Sequence, residues 1–285
     1  MTRRYGMAIM LLAATCIGIQ AFFVKVATQY TGPAEIAFLR FLFSFLIIQV
    51  AITGGWIEVR VVNWRMVLAR GVLGGIGNLL YFYAIEETRL SNAIILLYTY
   101  PIFASLYTQM MYRQGLGVST VGAFLISFAG ISLIVDPTFQ DIQRGDLLAL
   151  LSGAMVGGAI FSLRESRRTD SAWTIFHYFN IMGMALSIPL MEIPWKVPGE
   201  SSVFPLAGVV VFSMLGQLLM TYAYRYCTAA EGGILSMFGA VVGCGLGILI
   251  LGEAATPGFM VGSLLVVLSG IYLILQRSEA SGQGS

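Results

Sequence analysis

Apolar residues in this 285-residue chain gather in long runs rather than in alternation or narrow stripes. Ten runs can be drawn, at roughly 6–28, 33–53, 66–86, 91–111, 117–135, 146–163, 172–191, 204–225, 231–252 and 257–276. Each is close to the ~20 residues an α-helix needs to cross a bilayer. Turn-forming or charged residues separate them: Thr31-Gly32-Pro33, Gly54-Gly55, Glu86 to Arg89, Gln114-Gly115, Asp136-Pro137, Arg164 to Asp170, Pro194 to Gly199 and Thr256-Pro257-Gly258. The runs are apolar all round, so periodicity does not tell lipid-facing from buried sides. Arg3 and Arg4 precede the first run, as in a signal peptide. That run continues to about Thr28 without a clear small-x-small cleavage site, so it is expected to stay as a span.

Composition supports this pattern. The chain is 58% hydrophobic and only 11% charged, against about 25% charged in soluble domains. The expected fold class is therefore an all-α polytopic membrane protein of ten transmembrane helices. The net charge of +2 says nothing about nucleic acid, which is not an expected partner. Cys16, Cys227 and Cys244 fit no zinc spacing and read as small apolar packing residues.

Charge placement sets the orientation. With the N-terminus inside, eleven basic residues face the cytoplasm: Arg3, Arg4, Arg60, Arg65, Arg70, Arg113, Arg164, Arg167, Arg168, Arg225 and Arg277. Three face outward, Arg89, Arg144 and Lys196. The positive-inside rule then puts both termini in the cytoplasm. Lys25 and Arg40 are left within the membrane.

The two halves of the chain resemble each other. Leu79-Leu80-Tyr81-Phe82-Tyr83-Ala84-Ile85 aligns with Leu218-Leu219-Met220-Thr221-Tyr222-Ala223-Tyr224 at an offset of 139. Gly122-Ala123-Phe124-Leu125-Ile126-Ser127-Phe128-Ala129-Gly130-Ile131 aligns with Gly262-Ser263-Leu264-Leu265-Val266-Val267-Leu268-Ser269-Gly270-Ile271 at 140. Five spans per half is an odd number, so the second half enters from the opposite side. Two inverted five-helix repeats around a central cavity can exchange conformations, which is one route to alternating access. The expected boundaries are 1–136 for the first repeat, 137–144 for a linker, 145–277 for the second repeat and 278–285 for a disordered tail.

Several motifs now resemble the drug/metabolite transporter superfamily, in particular its EamA-type ten-helix exporters. They are Phe22-Phe23-Val24-Lys25 in the first span, Pro33 to Arg40-Phe41 in the second and Tyr83-Ala84-Ile85 in the third. Leu97-Tyr98-Thr99-Tyr100-Pro101 in the fourth, Gly145-Asp146-Leu147-Leu148-Ala149-Leu150 opening the sixth and Leu251-Gly252-Glu253 ending the ninth complete the set, with Gly262 and Gly270 in the tenth. Arg113-Gln114 stands where the family often has Gly-Glu, Ala240 where the first half has Pro101, and Ile17-Gly18 in place of the usual tryptophan. The resemblance implies a multi-pass protein of a bacterial inner membrane that carries a small organic solute.

Charged and polar residues within spans are the candidates for chemistry. Arg40 lies about 10 Å into its span. It either binds a substrate carboxylate or phosphate through its fork, or pairs with Glu35 or helix-end carbonyls. Lys25 either snorkels to headgroups or makes a cationic cavity mouth able to load a proton. His177, the only histidine, is a second candidate for proton coupling or a helix-packing residue. Asn78 and Gln217 occupy corresponding positions in the two halves and either bond a polar substrate or act as glue between helices. Asn180 is similar but has no symmetric partner. Pro101 frees a backbone carbonyl, which is tolerated where it lines a cavity. Around it Tyr81, Tyr83, Tyr98 and Tyr100 offer aromatic faces, some to the cavity and some to lipid. Glycines spaced by four (Gly71 and Gly75, Gly153 and Gly157, Gly239, Gly243 and Gly247) predict close helix packing.

The leading function is a secondary transporter that exports small organic metabolites such as amino acids, as a monomer or weak homodimer without cofactor or metal. Alternatives are carriage of another solute class (nucleoside- or nucleotide-like, vitamin or drug) or, further off, a membrane-embedded enzyme or lipid-handling protein. A channel would need rings of like charge or a carbonyl filter.

Overall fold

A computed structural model describes residues 3–88, 90–112, 118–135, 143–192, 199–251 and 257–282. Among these, all regular structure is helical: α1 Arg3–Ala27, α2 Pro33–Thr53, α3 Trp64–Glu87, α4 Leu90–Leu97, α5 Tyr100–Tyr112, α6 Val118–Val135, α7 Arg144–Ser166, α8 Ala172–Ser187 followed by the short turn Ile188–Leu190, α9 Glu200–Ala223, α10 Ala229–Ser236, α11 Phe238–Leu251 and α12 Pro257–Gly282. Six helical segments of the described residues are long and apolar enough to cross a membrane: 4–27, 33–53, 64–87, 144–166, 200–223 and 231–250. Arg89, Gln114-Gly115, Asp136-Pro137, Lys196, Gly252-Glu253 and the expected linker up to residue 142 lie outside the described residues. Helix α12 is described as far as Gly282, and residues 283–285 lie outside the described residues.

Local signals explain where helices begin. Pro33 opens α2 with its fixed φ and no lost hydrogen bond. Ser171 accepts from the Thr174 amide at 3.0 Å ahead of α8. Thr228 and Glu231 form a reciprocal capping box, with bonds of 3.2 and 2.9 Å, ahead of α10.

The fourth and ninth runs are each interrupted within their length by a short turn. The first breaks at Tyr98-Thr99, where Pro101 cannot donate to the Leu97 carbonyl. The second breaks at Met237 with no proline. There the Ala240 amide bonds the Met237 carbonyl at 3.0 Å. The Ser236 carbonyl instead accepts the Tyr98 hydroxyl at 2.8 Å. The two breaks therefore meet, one supplying a donor to the other.

Helices of the two halves pair off in order: α1 with α7, α2 with α8, and so on to α6 with α12, their starts about 140 residues apart. Packing follows the same correspondence. The contact of α3 with α7 is matched by α9 with α1, α5 with α7 by α11 with α1, and α3 with α8 by α9 with α2. Helices α2 and α8, and α6 and α12, pack on each other directly. Glycines let them approach: a Cβ on Gly18 would lie 2.4 Å from the Gly239 carbonyl oxygen, and one on Gly130 would lie 2.7 Å from that of Gly262.

Chain ends sort onto two faces. On one, the α2–α3 loop meets the α7–α8 turn, where the amides of Val62 and Asn63 donate to the Asp170 carboxylate at 2.7 and 3.0 Å. Gly6, near the start of α1, abuts Tyr226, just past the end of α9. On the other, the end of α3 meets the start of α7: the Thr88 hydroxyl donates to Asp146 at 2.8 Å, and Arg144 lies 3.7 Å from Glu87. So α1 and α3 begin on the face where α7 and α9 end.

Candidate functional site: a central cavity walled by both halves

A cavity of about 80 Å³ lies between the halves. Its wall draws on α1 (Gln20), α3 (Arg70, Asn78, Tyr81), the first helix break (Tyr98, Tyr100), α8 (Phe179), α9 (Gln217) and the second break (Ser236). Ile17, Leu97, Val156, Ile160 and Met220 supply apolar wall between them.

Two arginine–amide pairs organise its polar side. Arg40 donates through Nη1 to Asn78 Oδ1 at 2.6 Å, and Arg70 through Nη2 to Gln217 Oε1 at 2.9 Å. Both guanidiniums lie over the Phe179 ring, at 5.4 and 4.2 Å from its centroid, and Arg40 also lies 4.4 Å from that of Phe41. The positions corresponding to each other, Asn78 and Gln217, thus each receive an arginine. Gly74 makes the space for one of them, since a Cβ there would come 2.1 Å from Arg70 Nη1.

Arg40, Arg70 and Gln20 are almost fully buried, at 1%, 3% and 4% exposure. Arg40 Nε, Arg70 Nε and Gln20 Oε1 nevertheless have no hydrogen-bond partner among the described residues. A buried polar atom left without a partner costs roughly 1–3 kcal/mol. In a cavity wall it is a place for a ligand or an ordered water to bond. No Asp or Glu stands in this wall among the described residues.

The sequence candidates divide. Asn78, Tyr81, Tyr98 and Gln217 meet in the wall. Arg40 stands behind Asn78, and the alternative pairing with Glu35 is not formed. Glu35 instead accepts the Glu192 amide at 2.7 Å. Lys25 is outside the wall, its Nζ bonding the Ile85 carbonyl at 2.9 Å near the end of α3. Pro101 is also outside it, packed where a Cβ on Gly233 would fall, 2.7 Å from its own Cβ. His177 is stacked on Phe45 at 5.4 Å, away from the cavity. Asn180 donates to the Phe176 carbonyl of its own helix at 2.8 Å.

Sequence reasoning missed Arg70 and Gln20. By sequence Arg70 counts among the loop arginines, but it lies about two turns into α3 and is buried. The signal was available: six residues past the helix start is about 9 Å of rise.

The EamA-like transporter family matches this chain twice, over residues 4–136 and 143–276. The chain belongs to the EamA-like transporter family. As an EamA-like protein it is a transporter rather than an enzyme. Its relatives include an uncharacterized transporter of Helicobacter pylori, 26% identical, with 95% of each chain covered. The pseudopaline exporter CntI of Pseudomonas aeruginosa is also 26% identical, covering 94% of this chain and 95% of that one. Human solute carrier family 35 member G1 is 23% identical over 95% of this chain and 79% of its own length. A crystal structure superposes with a TM-score of 0.72 at 18% identity, covering 94% of this EamA-like chain and 98% of that one, and so shares its fold.

Proposed function

We propose that this EamA-like transporter is a secondary carrier that exports a small organic solute bearing a carboxylate, with amino acids the leading class. The observation that carries the proposal is the cavity wall. It presents Arg70, two oriented amides and the unpartnered Oε1 of Gln20, without a competing carboxylate among the described residues. An arginine fork accepts a carboxylate bidentately. The faces of Tyr81 and Tyr100 suit an ammonium group or an apolar side chain. Export rather than uptake is favoured by the relative named as an exporter.

The mechanism we infer is alternating access between two inverted five-helix repeats, ten spans in all, with the broken helices counted as the fourth and ninth. The twinned packing and the opposite sense in which α1 and α7, and α3 and α9, meet the two faces support inversion. The loop arginines favour cytoplasmic termini in a bacterial inner membrane. Exchange of the two packings would carry the cavity from one side to the other.

The test is counterflow. Purified protein in liposomes preloaded with an unlabelled amino-acid mixture should accumulate labelled amino acid transiently and saturably. Non-saturating flux, or no exchange with any amino or organic acid tested, would overturn the proposal.

A further inference from the structure

A second cavity opens on the face that gathers the α7–α8 and α9–α10 turns. Its room for water centres is about 690 Å³. Four arginines line it, Arg164, Arg167, Arg168 and Arg225, with Tyr224 among its remaining residues. The positive-inside rule asks only for basic residues near helix ends, and exposed ones satisfy it. Arg167 is different, at 5% exposure. It is held by carbonyls, Nε to Thr221 at 3.1 Å and Nη1 to Asp170. Its pKa is lowered, chiefly by burial and secondarily by Arg225.

The nearby carboxylates are otherwise engaged. Glu165 takes Arg168 at 3.2 Å and the Tyr112 hydroxyl at 2.5 Å. Asp170 receives the Val62 and Asn63 amides. Among the described residues Arg164, Arg167 and Arg225 form no ion pair. Tyr224 is buried, at 1% exposure. Tyr224 neighbours Tyr100 of the central cavity, and its ring fills the place a Cβ on Gly232 would take, 2.4 Å away. It stands in the partition between the two cavities.

We propose that this arginine-lined cavity is an oxyanion site distinct from the central one, a vestibule that gathers carboxylate- or phosphate-bearing solute ahead of a partition formed by Tyr224. The solute role rests on the carrier reading above, whereas the oxyanion site does not. The shared chemistry is an oxyanion, supplied either by free solute or by an anionic lipid headgroup.

The experiment titrates inorganic phosphate into the full chain in phosphatidylcholine nanodiscs by calorimetry. Wild type should bind. Arg164→Gln/Arg225→Gln removes two side chains that make no recorded bond and should weaken binding about tenfold or more. The control Arg4→Gln/Arg65→Gln removes the same charge from exposed positions outside the vestibule and should leave binding within about twofold. Equal loss in both, no loss in the first, or no binding by wild type overturns the proposal. Nanodiscs containing phosphatidylglycerol separate the sources: competition with phosphate assigns the site to the headgroup and removes the solute role, and its absence assigns it to free solute. Arginine-dependent phosphate binding without counterflow would overturn the carrier reading and leave the oxyanion site standing.

Discussion

Replacing Arg40 by Met separates stability from transport at one buried residue. On insertion scales an arginine at a helix centre costs about 2.5–3.5 kcal/mol. Against this stand the bond to Asn78, about 1.5–3 kcal/mol for a charged donor, and the two ring contacts, about 2 kcal/mol when desolvated. The favourable terms, about 3.5–5 kcal/mol together, exceed the cost by about 1–2 kcal/mol. Methionine keeps much of the length and apolar stem, so Arg40→Met should lower unfolding stability by no more than about 2 kcal/mol. At about 2–4 °C per kcal/mol that is less than about 8 °C in Tm. Function should respond differently, because Asn78 loses the donor that fixes its amide in the wall. We expect kcat/KM for counterflow of an exchanged amino acid to fall at least tenfold, about 1.4 kcal/mol. Arg40→Lys should recover part of it through a single bond. The assays are detergent unfolding followed by circular dichroism and counterflow in liposomes. A stability loss above about 4 kcal/mol would show that Arg40 serves the fold first, and unaltered exchange would show that Asn78 needs no orienting partner.

Gly74→Ala should cut exchange at least tenfold and lower Tm by a few degrees, because the new methyl displaces the Arg70 guanidinium and presses on the buried Phe179 ring, 2.9 Å away, both in the cavity wall; equal KM and kcat to wild type would remove Arg70 from the site. Gly18→Ala should instead cost about 1–3 kcal/mol of stability, since its Cβ meets the Gly239 backbone, and an unchanged Tm would show that the α1–α11 crossing yields easily. Tyr98→Phe should lower stability by about 0.5–1.7 kcal/mol, the range for hydrogen bonds between membrane helices, read by the same unfolding assay. His177→Phe should leave the pH profile of exchange unchanged, because the imidazole stacks on Phe45 outside the cavity; a shifted profile would restore His177 as a proton carrier.

The helical class and most helix limits were legible because long apolar runs and their turn residues are local signals. The fourth and ninth runs were not, since hydropathy does not register a break that keeps its residues apolar. Pro101 hinted at the first break. The second hangs on a hydrogen bond from Tyr98, distant in sequence. In the site, Asn78 and Gln217 could be found because the repeat placed them in correspondence. Arg70 hid behind Arg65, which made it look like one more loop arginine, and Gln20 sat in a run with no face to read. Lys25 and His177 attracted a chemical reading through residue type alone. Their packing partners, the Ile85 carbonyl and the Phe45 ring, lie on other helices.

The bond from Tyr98 to the Ser236 carbonyl has a consequence for the balance between transport states. Under the repeat offset of 139, the position corresponding to Tyr98 is Met237, which has no hydroxyl to give. If the halves exchange packings as proposed, the bond exists in one state and has no twin in the other. One hydrogen bond is worth about 0.5–1.5 kcal/mol, a population ratio of roughly two- to tenfold. The resting equilibrium is then tilted by a single phenol, and Tyr98→Phe would bring the two openings closer to equal occupancy.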